Sequence, residues 1–379
     1  MKARTRIVAG LAVAGTVVAV WAASSADAAT LHWTVEPVAI PAPAQVSLSG
    51  VAAVADNDVW AVGTRRHPTA GDPAGPVLLH NTGNGWTYAS LPSVSGGRFT
   101  AVAARPGHDV WAVGSRLVNG VEAPLVVHGQ GGRFQLLPTP AIAQPSSFTA
   151  VTARSATDVW AVGVRQGDYG PHPLIEHWNG TAWTVVPAAE DPDVDGNPLY
   201  GVAALSATNV WAVGGRAKDF VHPLVEHWDG HTWRLVAVPD LPSGVADDTA
   251  LHAVSARSAS DIWAVGGGGL ILHWDGHAWK AVPAHLPAFD PGSGLALAAV
   301  VAHGPRDAWA VGYTAQGTPS RTLTAHWDGI RWTAVPGPNP GSSSNALVGV
   351  STTPTGRTIA VGWRSDGGTL APLIARTGG

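Results

Sequence analysis

The chain has 379 residues, no cysteine, only 13% charged residues and a formal net charge of −4. Disulfides are therefore excluded as staples, and a mildly acidic chain is a poor non-specific binder of nucleic acid. The abundance of glycine and proline, 46 and 30 residues, suits a β-rich fold with many turns.

The first element reads as a leader. Lys2, Arg4 and Arg6 form a basic n-region, Ile7 to Ala23 an apolar stretch, and Ala26-Asp27-Ala28 a small-residue cleavage site. Residues 1–28 are expected to be a signal peptide cut before Ala29. The alternative is a retained anchor, but the stretch is short beside the about 20 apolar residues of a membrane span. Losing the leader removes three basic residues and one acid and leaves a charge of −6. The product expected is secreted, extracellular and monomeric, with no further membrane segment.

The rest of the chain is a repeat. Asp58-Val-Trp-Ala-Val-Gly63 recurs closely at 109–114, 158–163, 209–214, 261–266 and 307–312, with a degenerate seventh copy, Arg357-Thr-Ile-Ala-Val-Gly362. The glycines lie 51, 49, 51, 52, 46 and 50 residues apart, and periods near 50 belong to propeller blades of the kelch type. Each unit holds four strand patterns. Strand a reads like Phe148-Thr-Ala-Val151, strand b is the Asp-Val-Trp-Ala-Val-Gly run, strand c reads like Pro223-Leu-Val-Glu-His227, and strand d like Trp233-Arg-Leu-Val236. Asn179-Gly180, Asp229-Gly230, Asp275-Gly276 and Asp328-Gly329 join c to d as tight hairpin turns with positive φ. No segment has helical periodicity, so the class expected is all-β.

The seventh unit stops after its strand c, and Leu31-His-Trp33-Thr-Val35 near the start matches Trp183-Thr-Val-Val-Pro187. The expectation is one domain over 29–379, a seven-bladed β-propeller of four-stranded antiparallel blades. Residues 31–37 supply the outer strand of the last blade and close the ring.

Sixteen of the 18 tryptophans recur at three repeat positions. They are read as packing between blades; the rival reading is a ring of sugar-stacking platforms. His80, His128, His177, His227, His273 and His326 all end strand c. Because b and c are antiparallel, each lies beside the Asp or Asn that opens strand b. One Asp–His bond per blade is expected, against the alternative of a metal ring. The seventh unit replaces Asp, Trp and His together, by Arg357, Ile359 and Arg376, as coupled positions would.

The a–b and c–d turns share one face of a propeller and are short here. The b–c and d–a loops share the other and vary, so any binding site is expected there. Arg65, Arg116, Arg165, Arg216 and Arg364 follow strand b two residues after its glycine, where blades five and six have Gly268 and Thr314. Such a partial ring suits carboxylates or phosphates, unless it pairs with loop acids such as Glu190, Asp240 or Asp248. Tyr313 and Trp363 stand just after the glycine in blades six and seven, and Tyr169, His172, Phe220 and His222 lie in other b–c loops. Clustered, they suit a glycan or a protein. Asp191, Asp193, Asp195 and Asn197 alternate like a calcium loop with Gly196 at the sixth position. The acid usual at position twelve is Val202, and the bland reading is a solvated loop; no other cofactor is implied.

The His-Trp-Asp-Gly-x-x-Trp hairpins and Val-Trp-Ala-Val-Gly strands resemble repeats of kelch-like and Asp-box (sialidase-type) secreted bacterial propellers, over nearly all of the chain after the leader. The resemblance implies the fold and no particular activity. An Asp-box has its Asp and Trp one residue further apart and a Ser or Thr where His stands here. No arginine triad with a Tyr–Glu pair can be assigned, so sialidase chemistry is not carried over. The copper site of kelch-type oxidases needs a cysteine that this chain lacks. The bracing of each blade by His, Asp and Trp is similar to the WD-type blade, at a different spacing. Two functions remain open: a non-catalytic extracellular protein that binds a glycan or a protein on the variable face, or a polysaccharide hydrolase or lyase. The carboxylates available to the second are Asp168, Asp219, Glu122, Asp191 and Asp366.

Overall fold

The computed structural model describes residues 31–378, apart from 40–43, 67–73, 95, 169, 190–193, 195, 218–220, 242–248, 287–294 and 315–318. The leader lies outside the described residues. All the sheets fall within the unit His32–Gly379. Among the described residues there is no helix, and seven antiparallel blades form the β-propeller. In blade 1 the strands are a Gln45–Ala55, b Asp58–Arg66, c Gly75–Asn81 and d Trp86–Tyr88. Blades 2 to 6 repeat this order, and a short strand, Ala284–His285, adds parallel to Trp332 as a fifth strand of blade 6. Blade 7 is Ser344–Thr352, Thr358–Asp366 and Thr369–Thr377, completed by Trp33–Val35 paired Trp33↔Thr377 and Val35↔Ala375. The ring therefore closes through the N-terminal strand.

The repeated glycine of strand b has a steric cause. Strand a bulges opposite it, between Leu48 and Gly50 in blade 1. A Cβ on Gly63 would stand 2.0 Å from the Ser47 carbonyl oxygen, and one on Gly114 equally 2.0 Å from that of Arg98. Backbone atoms cannot yield, so only glycine fits.

The c–d turns differ from the expectation by one residue. Strands c and d pair last at Trp178↔Trp183, and positive φ falls on Gly180 alone, at 98°. Asn179 precedes it and its Oδ1 accepts the N–H groups of Thr181 and Ala182. Glycine is thus the first central residue of the turn, and the Asn or Asp acts through its side chain.

The tryptophans join blades. Trp160 of blade 3 meets Trp233 of blade 4 edge-on at 5.5 Å, and Trp211–Trp279 and Trp263–Trp332 repeat the contact at 5.7 and 5.2 Å. Trp309 of blade 6 finds Trp33 at 5.2 Å, so the closing strand restores the same junction. Each such pair contributes about 0.5–1.5 kcal/mol beyond buried area. Within a blade, Asp58 Oδ1 accepts both Trp60 Nε1 and His80 Nε2 at 2.9 Å, and the Trp60 and His80 rings stack at 3.6 Å. The histidine bond recurs at His128–Asp109, His177–Asp158, His227–Asn209, His273–Asp261 and His326–Asp307. The repeated Asp, His and Trp are scaffold.

Strand c also outruns strand d. The last d-side bonds, such as Val186 N–H to Ile175 O, leave the beginning of strand c uncovered. Two residues before that carbonyl, where the next outward-pointing N–H would be exposed, five blades have Pro76, Pro124, Pro173, Pro223 and Pro372, and blade 5 has Gly269. Proline has no donor to offer a stray strand, which protects the edge. Blade 6 has Thr322 there, and its N–H is taken by Asn339 Oδ1 at 2.9 Å.

Candidate functional site

The uncovered part of strand c forms a notch at the rim of a blade, on the face of the b–c and d–a loops. In blade 1 this notch is a cleft of about 570 Å³, lined by Arg65, Gly75, Pro76, Val77, Leu78, Tyr88, Leu91 and Val94 among others. Strand alternation puts Arg65 on the same side as Val59 and Ala61, and Tyr88 on the same side as the buried Trp86. The exposed guanidinium and the phenol ring thus border one cleft. Burial pushes the Tyr88 phenol up, and the charge of Arg65 opposes that shift. In blade 7 the equivalent notch, about 330 Å³, is lined by Arg364, Ala371, Pro372, Val35, Glu36, Pro37 and Val38. The two clefts correspond strand by strand, since Arg65 pairs with Gly75 as Arg364 pairs with Ala371.

The remaining candidates divide. Arg116, Arg165 and Arg216 occupy the same position in blades 2, 3 and 4, all partly buried, and Arg116 keeps its Nε buried with no partner among the described residues. Arg364 has an acid within reach, Asp366 at 3.5 Å. Tyr313 and Trp363 are half-buried in strand b, one residue before the arginine position, so they project from the opposite side of the strand. Strand alternation turns Tyr313 towards blade 7 with Val311, and Arg364 towards blade 6 with Ala360. Tyr169, Phe220, Asp191, Asp193 and Asp195 lie outside the described residues, as do Asp219, Glu190 and Asp248. Asn197 is buried at 2% exposure, its N–H bonded to Pro171 O.

Two of the carboxylates considered for hydrolysis are engaged. Glu122 takes Arg98 at 2.6 Å. Asp366 accepts the Ser342 N–H and hydroxyl, which hold its carboxyl below the usual range. A glycosidase acid needs the opposite displacement.

Tyr88 was not among the sequence candidates. Its signal is that the third residue of strand d is aliphatic elsewhere (Val35, Val185, Leu235, Ala281) and aromatic only in blade 1, among the blades with a Trp-initiated strand d.

These features define a β-propeller with a rigid repeated scaffold and charged rim clefts. No protein family matches the chain, and no curated relative does. Solved propellers do. A structure of YCF48 bound to a D1 peptide is 14% identical, with TM-score 0.56, covering 92% of this chain and 95% of the other. An α-L-arabinanase from Penicillium chrysogenum, complexed with arabinobiose, is 12% identical with TM-score 0.50, covering 92% and 97%. The GH74 xyloglucanase of Xanthomonas campestris is 14% identical with TM-score 0.56, covering 90% of this chain and 55% of that one. At such identities the likeness is one of fold.

Proposed function

We propose that this chain is an extracellular, non-catalytic binding propeller that takes a carboxylate-bearing glycan or peptide on its b–c/d–a face, with the blade 1 cleft as the principal subsite. The observation that carries the reading is the pairing of exposed Arg65 with Tyr88 over an apolar notch. A guanidinium engages a carboxylate, and the phenol ring and apolar wall accept a sugar face or side chain. That propellers of this shape have been solved with a peptide and with a disaccharide supports the reading without choosing between them. Export would follow from residues 1–28 as a signal peptide. A calcium ion held by Asp191, Asp193, Asp195 and Asn197 belongs to the same proposal, because alternating oxygen donors suit it. A melting temperature unchanged by a calcium-selective chelator would remove it.

The test is a binding screen of the purified chain against acidic oligosaccharides and peptides with free C-terminal carboxylates. The expected result is a hit in one panel, weakened about tenfold or more by Arg65→Ala and by Tyr88→Ala without loss of melting temperature. Silence in both panels, binding indifferent to both substitutions, or turnover of a polysaccharide overturns it; turnover would favour a hydrolase or lyase.

A further inference from the structure

On the opposite face, blade 1 breaks the pattern of its neighbours in three linked ways. In blades 2, 3 and 5 the brace aspartate is bonded on both oxygens: His on Oδ1, and an arginine of strand a on Oδ2. Arg105 reaches Asp109 at 2.6 Å, Arg154 reaches Asp158 at 2.5 Å and Arg257 reaches Asp261 at 2.6 Å. In blade 1 the equivalent of Arg154 is Val54, so Asp58 has no arginine on Oδ2 among the described residues. Next, strand c of blade 2 has Gly129 where blades 3 to 6 have the tryptophan that covers the preceding blade, as Trp228 covers Trp160 at 5.2 Å. The space over Trp60 is left to Phe134 and His108. Finally, the a–b turn of blade 2 presents His108 at φ 55°. The His108 ring stands 5.3 Å from that of His80.

One ligand atom from each of Asp58, His80 and His108 therefore falls within 4.8 Å of the other two. Asp58 and His80 are partly buried and held by Trp60, while His108 is exposed. Two imidazoles and a carboxylate are a donor set for a late first-row divalent cation, with a further position open to solvent. The Trp60 indole on Asp58 Oδ1 is the outer contact that orients the carboxylate.

We infer that Asp58, His80 and His108 form a zinc-class metal site at the junction of blades 1 and 2, on the face opposite the rim clefts. The competing account is that His108 only fills the space left by the absent tryptophan. The two differ in one substitution. Val54→Arg installs the clamp used in blades 2, 3 and 5, occupies Asp58 Oδ2 and leaves His108 in place.

The experiment is calorimetric titration of the full chain with Zn²⁺, together with Co²⁺ absorption as a report of imidazole coordination. The expected result is one equivalent bound per chain, with affinity lowered about tenfold or more by His108→Ala and also by Val54→Arg. His231→Ala, an exposed histidine in a blade 4 turn, leaves binding unchanged. Absence of binding, or binding that survives both substitutions, overturns the inference. Should His108→Ala fold poorly, Val54→Arg decides alone.

Discussion

Six blades carry the histidine bond to the Asp or Asn that opens strand b, whereas the seventh has neither partner, and the ring closes at that blade. In blades 1 to 6 the ties run within a blade, from strand b to strand c. In blade 7 they run across the seam. Arg376, in place of the histidine, pairs with Glu36 beyond the closing strand and donates to Asp56 O of blade 1. Glu36 also accepts the indole N–H of Trp86 at 2.7 Å, and Thr355 bonds Asp56 at 2.6 Å. The equivalent indoles Trp183, Trp233, Trp279 and Trp332 have no partner among the described residues. A blade made from two chain ends has no covalent c–d turn, so its polar groups are used to hold the ends to each other and to the next blade.

The largest expected effect breaks the seam. Glu36→Ala leaves Arg376 without its ion-pair partner and Trp86 without its acceptor, and should cost about 4 kcal/mol. The melting temperature should fall, and 31–37 should become the first site of limited proteolysis. A parental melt and digest would show that the seam does not depend on this acid.

A second acid at a blade junction sharpens the contrast, because it is unpaired. Glu176 is fully buried in strand c of blade 3, where the other blades, except blade 4, have an aliphatic residue. Glu226 is its counterpart in blade 4, and there Ala189 donates its N–H to Oε2 at 3.0 Å. The residue equivalent to Ala189 beside Glu176 is Pro140, which has no N–H. Neither Glu176 oxygen has a partner among the described residues, and burial pushes its carboxyl up to about 8. The folded state thus keeps a proton that the unfolded chain releases near 4.5. Stability is therefore lost as pH rises between these values, by roughly 3 kcal/mol at neutral pH. Glu176→Gln should recover most of that and flatten the pH dependence of melting from pH 5 to 8. A variant no more stable than the parent at pH 7.5 would show that the carboxylate finds water or a partner.

The smallest effect tests an ordinary brace. Asp109→Ala strands Trp111, His128 and Arg105 together, at about 2 kcal/mol. Measured by denaturant unfolding, it should fall short of Glu36→Ala. If it costs more, the intra-blade brace outweighs the seam.

Much of this was legible in the chain itself. The spacing of the Val-Trp-Ala-Val-Gly glycines counted the blades, and Trp33-Thr-Val35 announced the closing strand. The simultaneous loss of Asp, Trp and His in the seventh unit marked them as coupled. The variable-face arginines were legible as positions, but which of them borders a cleft was not. That depended on how far strand d covers strand c, and on Tyr88, whose message is only that it departs from the aliphatic residues of other blades. The Asp58–His80–His108 group was further from view. His108 belongs to another blade, and its proximity follows from an arginine and a tryptophan that are missing, which no motif records.

By itself the sequence determined most of what recurs: strand order, blade number and the pairing of the repeated Asp and His. Repetition converts a weak local preference into a strong pattern, because each blade must bury the same faces against the same neighbours. The tertiary structure alone decided what occurs once. The partner of Glu36, the isolation of Glu176 beside Pro140 and the open clefts at Arg65 and Arg364 each depend on atoms far apart in the chain. Their energies are set by which donors reach them in the closed ring, and not by the residues on either side.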